Sequence, residues 1–363
     1  MYDAIVVGAG LYGAIITYRL RKANKKVLVL DRREVVGGNV YTEVVNNIPV
    51  HMYGAHIFRT NDEIIWNWLN SRCEMVPFIN SPLAEHNGKL YNLPFNMNTF
   101  YQLWGVKTSE EAMQKIKSQC IHLDREPENL EEYVLSQVGT DIYESFIKEY
   151  TEKQWGKACD QLPVSTMSRI PIRFTFDNNY YANKRYQGIP KFGYTPLIEY
   201  LLGDAQVVLN VDGRTINTKS DVPIYYTGCI DEFYDYRLGK LEYRSLYFTH
   251  RVVDKKDYQS VAVINHSDKT VPWTRSIEHK HFYTNSPIED TDTTVVSLEY
   301  PCEYCDRREP YYPINNTDNI RLYDEYKQLS SEVNPNIVFC GRLGSYKYTD
   351  MEDTIREAIS IRI

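Results

Sequence analysis

The first thirty-one residues restrict this chain's fold more than any other stretch. DAIVV (3–7) is an apolar, β-branched run, Gly8-Ala-Gly10-Leu-Tyr-Gly13 comes next, an amphipathic stretch runs to Ala23, and KVLVLD (26–31) ends a second strand in an acid. Three glycines at this spacing allow a tight turn and let the backbone come close to a pyrophosphate at a helix N-terminus. Asp31, 23 residues after Gly8, is placed to accept from a ribose hydroxyl. A glycine triplet alone is weak evidence, because an unliganded α/β unit can use the same turn. Framed by strand, helix, strand and acid, it predicts a dinucleotide-binding unit over a parallel sheet.

The segment after Asp31 narrows the cofactor. In RREVVGGN, Gly37 and Gly38 let the chain pass close to the ligand a second time, which suits FAD better than a nicotinamide cofactor. Near the C-terminus, IVFCGRLGSYKYTDMEDTIREAI (337–359) repeats the logic: an apolar strand, Gly341-Arg342, a loop with Gly344, and a helix from about Met351 whose N-terminus suits a flavin or phosphate. The first and last segments are therefore expected to build one FAD domain, with the middle of the chain inserted into it.

The insertions differ in period. From Thr108 to about Trp155 the spacing is helical. Thr108 and Glu111 form a capping box, Leu130, Tyr133, Val134 and Val138 share a face, Gly139 breaks the run, and Ile142, Phe146, Ile147 and Tyr150 resume it. Between about Val222 and Tyr300 the pattern is short strands, including SLYFTHRVV (245–253), SVAVINH (260–266) and TVVSLEY (294–300). The length of 363 residues suits two or three packed units.

Composition excludes several classes of partner. A net charge of −7 argues against nucleic acid and anionic membranes. No apolar run reaches membrane-spanning length, and the strand that opens the sequence leaves no room for a basic leader, so a cytoplasmic chain without membrane insertion is expected. Seven cysteines, an odd number, fit reduced thiols. Cys302 and Cys305 form one CxxC without the second pair or histidines that zinc would need, so no metal is expected. Tyrosine is abundant, 31 against 12 phenylalanines.

YGAHIFRTN (53–61), EYTEKQWG (149–156), RIPIRFTFDNNYY (169–181), EPYYP (309–313) and GRLGSYKYTDM (341–351) together resemble the bacterial UDP-galactopyranose mutase family, in the family's order and over nearly the whole chain. The resemblance implies an α/β protein: an FAD-binding Rossmann-like domain (1–76, 186–235 and 318–363), an inserted helical bundle with a uridine-binding edge (98–160), and an antiparallel β-sheet domain (77–97, 161–185 and 236–317). It implies an isomerase that interconverts UDP-galactopyranose and UDP-galactofuranose without net redox, with N5 of reduced FAD as the nucleophile at the anomeric carbon. It also implies a homodimer and an external reductant such as NAD(P)H.

Residue by residue, the same resemblance assigns FAD contacts to Gly8, Gly10, Tyr12, Gly13, Asp31, Arg32, Gly38, Asn39, His56, Ile57, Arg342, Tyr348, Asp350 and Met351. Arg169 and Arg275 become the cations that hold the departing diphosphate, a task for which a guanidinium offers a bidentate fork and a permanent charge. Tyr180, Tyr312 and Tyr348, with Asp350 beside the last, become neutral phosphate donors and their neighbour. Phe146, Tyr150, Thr151 and Trp155 become the uridine edge, with Asn80 and Asn265 as polar contacts. On spacing alone those four are helical core, and a lone arginine is a solvated cation. The pattern breaks at Arg59, where the family has a second histidine beyond His56. Either Arg59 is an ion-paired scaffold residue, with Asp62 or Glu63 as partner, or it reshapes the sugar pocket so that UDP-N-acetylgalactosamine is accepted. The competing class is an FAD amine oxidase or desaturase, which shares the dinucleotide frame but has no use for diphosphate-binding cations.

Overall fold

The computed structural model describes residues 1–363 except 168–169, 217–221, 284–287, 289–290 and 306–307. Where the sequence predicts three domains, the chain forms two compact units: 1–77, 185–245 and 304–363 in the first, 78–184 and 246–303 in the second. The helical segment and most of the antiparallel sheet thus share one unit. Residues 236–245 and 304–317 fall in the first unit, where 243–245 pair with Pro310–Pro313.

In the first unit, the described residues build a sheet of five parallel strands in the order Gln206–Val208, Val27–Leu30, Ala4–Val7, Ile224–Tyr226 and Ile337–Phe339. Apolar, β-branched strands suit a parallel sheet, whose two faces are both covered. The Leu11–Lys22 helix packs against Thr195–Leu202 and Met351–Ser360, and Ile15, Ile16, Val29, Leu197, Leu201 and Ile355 are buried between these layers. Each such side chain contributes roughly 1.5–3 kcal/mol, more than the 0.2–1 kcal/mol of an exposed ion pair, so this apolar layer decides the unit's stability. A smaller sheet pairs Phe58–Thr60 and Met75–Pro77 with Tyr186–Pro190, which places Arg59 opposite Gln187.

The second unit joins helices to a sheet. Met97–Trp104, Ser109–Lys117, Leu130–Ile142 and Lys148–Trp155 are helical, and the capping box of Thr108 and Glu111 is present. Gly139 has φ 76°, which bends the chain inside the Leu130–Ile142 segment where the sequence predicts a break. Tyr143–Ile147 is a π-type turn, wider than an α-helix. Phe100, Leu130, Val134, Val138, Ile142 and Phe146 fill the core. In the sheet, Val263–His266 lies between Arg275–Glu278 and Leu83–His86, antiparallel to the first and parallel to the second. The expected antiparallel domain is therefore mixed at this point.

Two histidines tie this unit to pH. Burial, aided by the Lys153 ammonium, lowers His266 to about 4, and burial with His250 lowers His279 to about 3. Both folded values lie below the ordinary 6.5, so the folded chain refuses protons that the unfolded chain takes up. Their stabilisation is complete above about pH 6.5 and is lost as pH falls, through about 4 for His266 and about 3 for His279, with the Glu85 carboxylate 2.9 Å from His266 Nδ1 opposing the first. We expect the thermal midpoint to fall across that window and His279→Gln, which keeps a partner for Ser297, to flatten the fall. Parallel curves for the two proteins would refute this.

Candidate functional site

In the first unit the expected cofactor residues gather at the C-terminal ends of the parallel strands. Gly8 has φ +103°, and a Cβ there would lie 1.9 Å from Thr227 Oγ1. A Cβ on Gly13 would lie 1.9 Å from the Gly8 carbonyl oxygen, so only glycine lets the helix start this close to the strand. Gly10 bridges to Gly37, and Gly37 N donates to Ala9 O at 2.9 Å, which brings the two glycine-rich turns together. Asp31, 8% exposed, accepts from Ala9 N through Oδ2 at 2.6 Å and from Arg33 N through Oδ1 at 2.8 Å. The acid thereby fixes the turn, and each oxygen keeps a second lone pair that a ribose hydroxyl could use.

Other expected residues are held by partners that spacing does not reveal. Arg32 pairs with Glu309 and Glu232, and Arg33 donates to Asn39 Oδ1 at 2.9 Å while lying over the Tyr53 ring. Glu309, in the EPYYP segment, is kept below the usual carboxylate range by Arg33 and Arg32 against the effect of its burial. Tyr12 and Ile57 are buried, and Met351 packs on the core. His56 sits near His51, whose Nδ1 accepts from His56 N at 3.1 Å, and Tyr194 OH donates to His56 O at 3.0 Å.

Arg59 pairs with Asp350. Its Nη2 lies 3.3 Å from Asp350 Oδ2, with both side chains about a quarter exposed. Asp62 instead caps the Glu63–Asn70 helix and binds Arg356 at 2.8 Å, while Glu63 faces Arg185. Asp350 is the N-cap of Met351–Ser360 and accepts from Asp353 N at 3.0 Å. Arg59 is thereby tied to the segment that carries Tyr348, whose ring lies 5.7 Å from that of Tyr312. Arg342 lies near both Tyr311 and Tyr312.

The second unit holds the remaining expected residues, except that Arg169 lies outside the described residues. Asn265 and Arg275 are register partners on adjacent strands. Arg275 Nε donates at 2.9 Å to Oε1 of Glu299, a residue 1% exposed that also accepts from Thr274 Oγ1 at 3.0 Å. Burial pushes Tyr150 up to about 12, with Arg275 opposing and Glu299 and Tyr180 adding to the shift, so these four groups feel one another. Thr151 is buried and Trp155 packs on the helical core. Tyr180 N donates to Asn80 O at 2.8 Å. Phe146 lies in the helical core, as spacing alone predicts, although the π-type turn takes it off the α-helical register shared with Tyr150. It is 6% exposed, packed against Tyr91, Phe95 and His86.

Glu299, Glu309 and Lys153 are the residues that sequence spacing misses. Each is an ordinary charged residue in its motif, and what sets it apart is a partner distant along the chain, with Glu299 also buried. Glu299 in TVVSLEY carries a faint signal, as a charge in an otherwise apolar strand.

A glycine turn between strand and helix, a second strand ending in an acid and a parallel sheet define a dinucleotide-binding α/β protein. Comparisons place it further. The NAD(P)-binding Rossmann-like domain family matches residues 6–71, and the UDP-galactopyranose mutase family matches residues 145–348. A probable UDP-galactopyranose mutase of Klebsiella pneumoniae is 38% identical over 98% of this chain and 93% of its own. A dTDP-fucopyranose mutase of Escherichia coli is 36% identical over 99% and 97%. Among solved structures, reduced UDP-galactopyranose mutase superposes with a TM-score of 0.75 at 13% identity, over 99% of this chain and 94% of that one. The chain belongs to the UDP-galactopyranose mutase family: it is a pyranose–furanose isomerase, and its cofactor is FAD. That membership sets aside the amine oxidase reading.

The residues present fit FAD. Gly10 caps the Leu11–Lys22 helix without a side chain, and the first turn holds no acid, so its orphan amides suit a pyrophosphate. Among the described residues, no helix is long and apolar enough to cross a membrane.

Proposed function

We propose that this chain interconverts UDP-galactopyranose and UDP-galactofuranose without net oxidation or reduction, and that it also accepts UDP-N-acetylgalactosamine. Reduced flavin, when bound, supplies the nucleophile for the anomeric carbon and is regenerated in each turnover. FAD would be held by Gly8, Gly10, Gly13, Asp31 and Gly38, with Arg342 and the start of the Met351–Ser360 helix as further contacts. The reductant is a nicotinamide cofactor of the cytoplasm, the working form is a homodimer, and the product feeds cell-surface polysaccharide.

The observation that carries this reading is Arg275 fixed by buried Glu299. With Nε–H given to Glu299, the plane of the guanidinium is set, and its Nη edge is the one that matches two diphosphate oxygens. The leaving diphosphate gains charge as the anomeric bond breaks, so a preorganised cation stabilises that moment more than the ground state. Tyr180, Tyr312 and Tyr348 donate without adding charge, which lets product leave. Tyr150, Thr151, Trp155, Asn80 and Asn265 hold the uridine, while Phe146 supports that edge from the core. Arg169 shares the diphosphate with Arg275.

We expect isomerisation of UDP-galactose, followed by chromatography, after reduction with dithionite and none in the oxidised protein. Equal turnover in both states would remove flavin from the chemistry. The substrate panel includes dTDP-fucose, because a relative of 36% identity is a dTDP-fucopyranose mutase. Preference for it over UDP-galactose by kcat/KM would replace the substrate proposed here.

Arg275→Ala is expected to lower kcat about a hundredfold or more, and Tyr348→Phe much less, since a charged donor is worth more than a neutral one in a water-poor site. Wild-type kcat for Arg275→Ala at saturating substrate would show that this cation does not hold the leaving group.

Arg59, a donor-only cation beside Asp350, is assigned to the 2-position of the sugar, where it can donate to an acetamido carbonyl. Arg59→His should lower kcat/KM for UDP-N-acetylgalactosamine relative to UDP-galactose by about tenfold. An unchanged ratio would leave Arg59 as the scaffold partner of Asp350.

A further inference from the structure

Lys153 sits in the EYTEKQWG segment, on the Lys148–Trp155 helix with Tyr150, Thr151 and Trp155. Its side chain is half-buried and turned onto backbone carbonyls. Nζ lies 2.8 Å from His266 O, 2.9 Å from Asp268 O, 2.9 Å from Val271 O and 3.0 Å from Trp273 O. These four carbonyls line the inside of the loop that joins the Val263–His266 strand to the Arg275–Glu278 strand. Asn265 lies just before that loop and Arg275 just after it.

Two features of the cage bear on its role. An ammonium has three N–H donors, and here four acceptors surround it, so the fit is that of a sphere of charge rather than of directed bonds. Potassium, close to ammonium in size, is bound by carbonyl oxygens in this manner. The loop is also anchored independently. Glu149 Oε2 accepts from Lys269 N at 2.8 Å, and the Asp268 carboxylate binds His86 Nδ1 at 2.6 Å and Asn87 N at 2.8 Å. The cage therefore outlasts loss of the lysine side chain, and its carbonyls then face one another without a counter-charge. Burial lowers the Lys153 ammonium to about 8, against the opposing pull of Asp268 and Glu149, so the cation persists at neutral pH.

We propose that Lys153 is the positioning residue of the nucleotide edge, a tethered monovalent cation whose charge in the carbonyl cage sets Asn265 and Arg275 relative to the helix that carries Tyr150, Thr151 and Trp155. This rests on the nucleotide-binding reading above. It differs from a purely structural role because charge of the right size in the cage is what matters, and the covalent stem is dispensable.

The test measures UDP binding by calorimetry to wild type and Lys153→Ala in lithium, potassium or ammonium chloride at equal ionic strength. Wild type is expected to be indifferent to the cation. Lys153→Ala should bind UDP about tenfold or more weakly in lithium and recover to within about threefold of wild type in potassium or ammonium, with KM moving more than kcat. Wild-type affinity of the variant in lithium, or a loss that potassium leaves unchanged, would overturn the proposal. Failure of wild type to bind UDP would instead overturn the nucleotide reading, and the cage would still be judged by whether potassium raises the melting temperature of Lys153→Ala above that in lithium. Should Lys153→Ala not fold, Lys153→Met fills the stem without charge and blocks the cage. It is expected to bind UDP weakly with every cation, and tight binding by it would overturn the proposal.

Discussion

The first unit depends on how closely its first strand and first helix approach one another. At Gly13 there is room for a hydrogen and none for a methyl, since the Gly8 carbonyl oxygen occupies that space. Asp31 then locks the turn from the next strand by accepting the amides of Ala9 and Arg33. Steric exclusion and two charge-assisted hydrogen bonds leave the helix N-terminus without a side-chain cap or a first-turn acid. A bare N-terminus is a region of unsatisfied amides with partial positive charge, and an anion can complete it. The cofactor site is thus a consequence of packing, and the parallel strands on either side hold it because they are buried on both faces.

In the second unit, charge is placed by burial. Glu299 is withdrawn from water and Lys153 half-buried, and both are satisfied, the first by Arg275 and Thr274, the second by loop carbonyls. An unpaired charge at either place would cost several kcal/mol, so the partner's position is as strongly fixed as the charge itself. That is how a sheet can fix the orientation of an arginine whose own side chain is only half-buried.

Local signals make the dinucleotide frame legible in the sequence: strand periodicity, glycine spacing, an acid at a strand end, the capping box at Thr108 and the break at Gly139. The division into units is less legible, because strand pairing between residues 243–245 and Pro310–Pro313 joins segments about seventy residues apart, and nothing local encodes that. Sequence proximity misplaces the ion-pair partner of Arg59 for the same reason. Asp62 and Glu63 are near in sequence, yet Asp62 is committed to capping a helix, and Asp350 arrives from the far end of the chain. α-Helical arithmetic places Phe146 in the core correctly but does not anticipate the π-type turn that separates its register from that of Tyr150.

The same π-type turn explains how one helical segment serves two purposes. An unbroken α-helix from Leu130 to Trp155 would keep a single apolar stripe, so residues facing the core at its start would still face it at its end. The bend at Gly139 and the wide turn at Tyr143–Ile147 rotate the stripe: Phe146 stays among Tyr91, Phe95 and His86, while Tyr150 comes within electrostatic reach of Arg275, Glu299 and Tyr180. Lys153, one turn further on, then meets the loop carbonyls. Such wide turns cost backbone hydrogen-bond quality, and they persist where neighbouring packing compensates. Here the compensation is the aromatic cluster around Phe146, and what the turn gains is a polar face on a helix whose preceding turns are core.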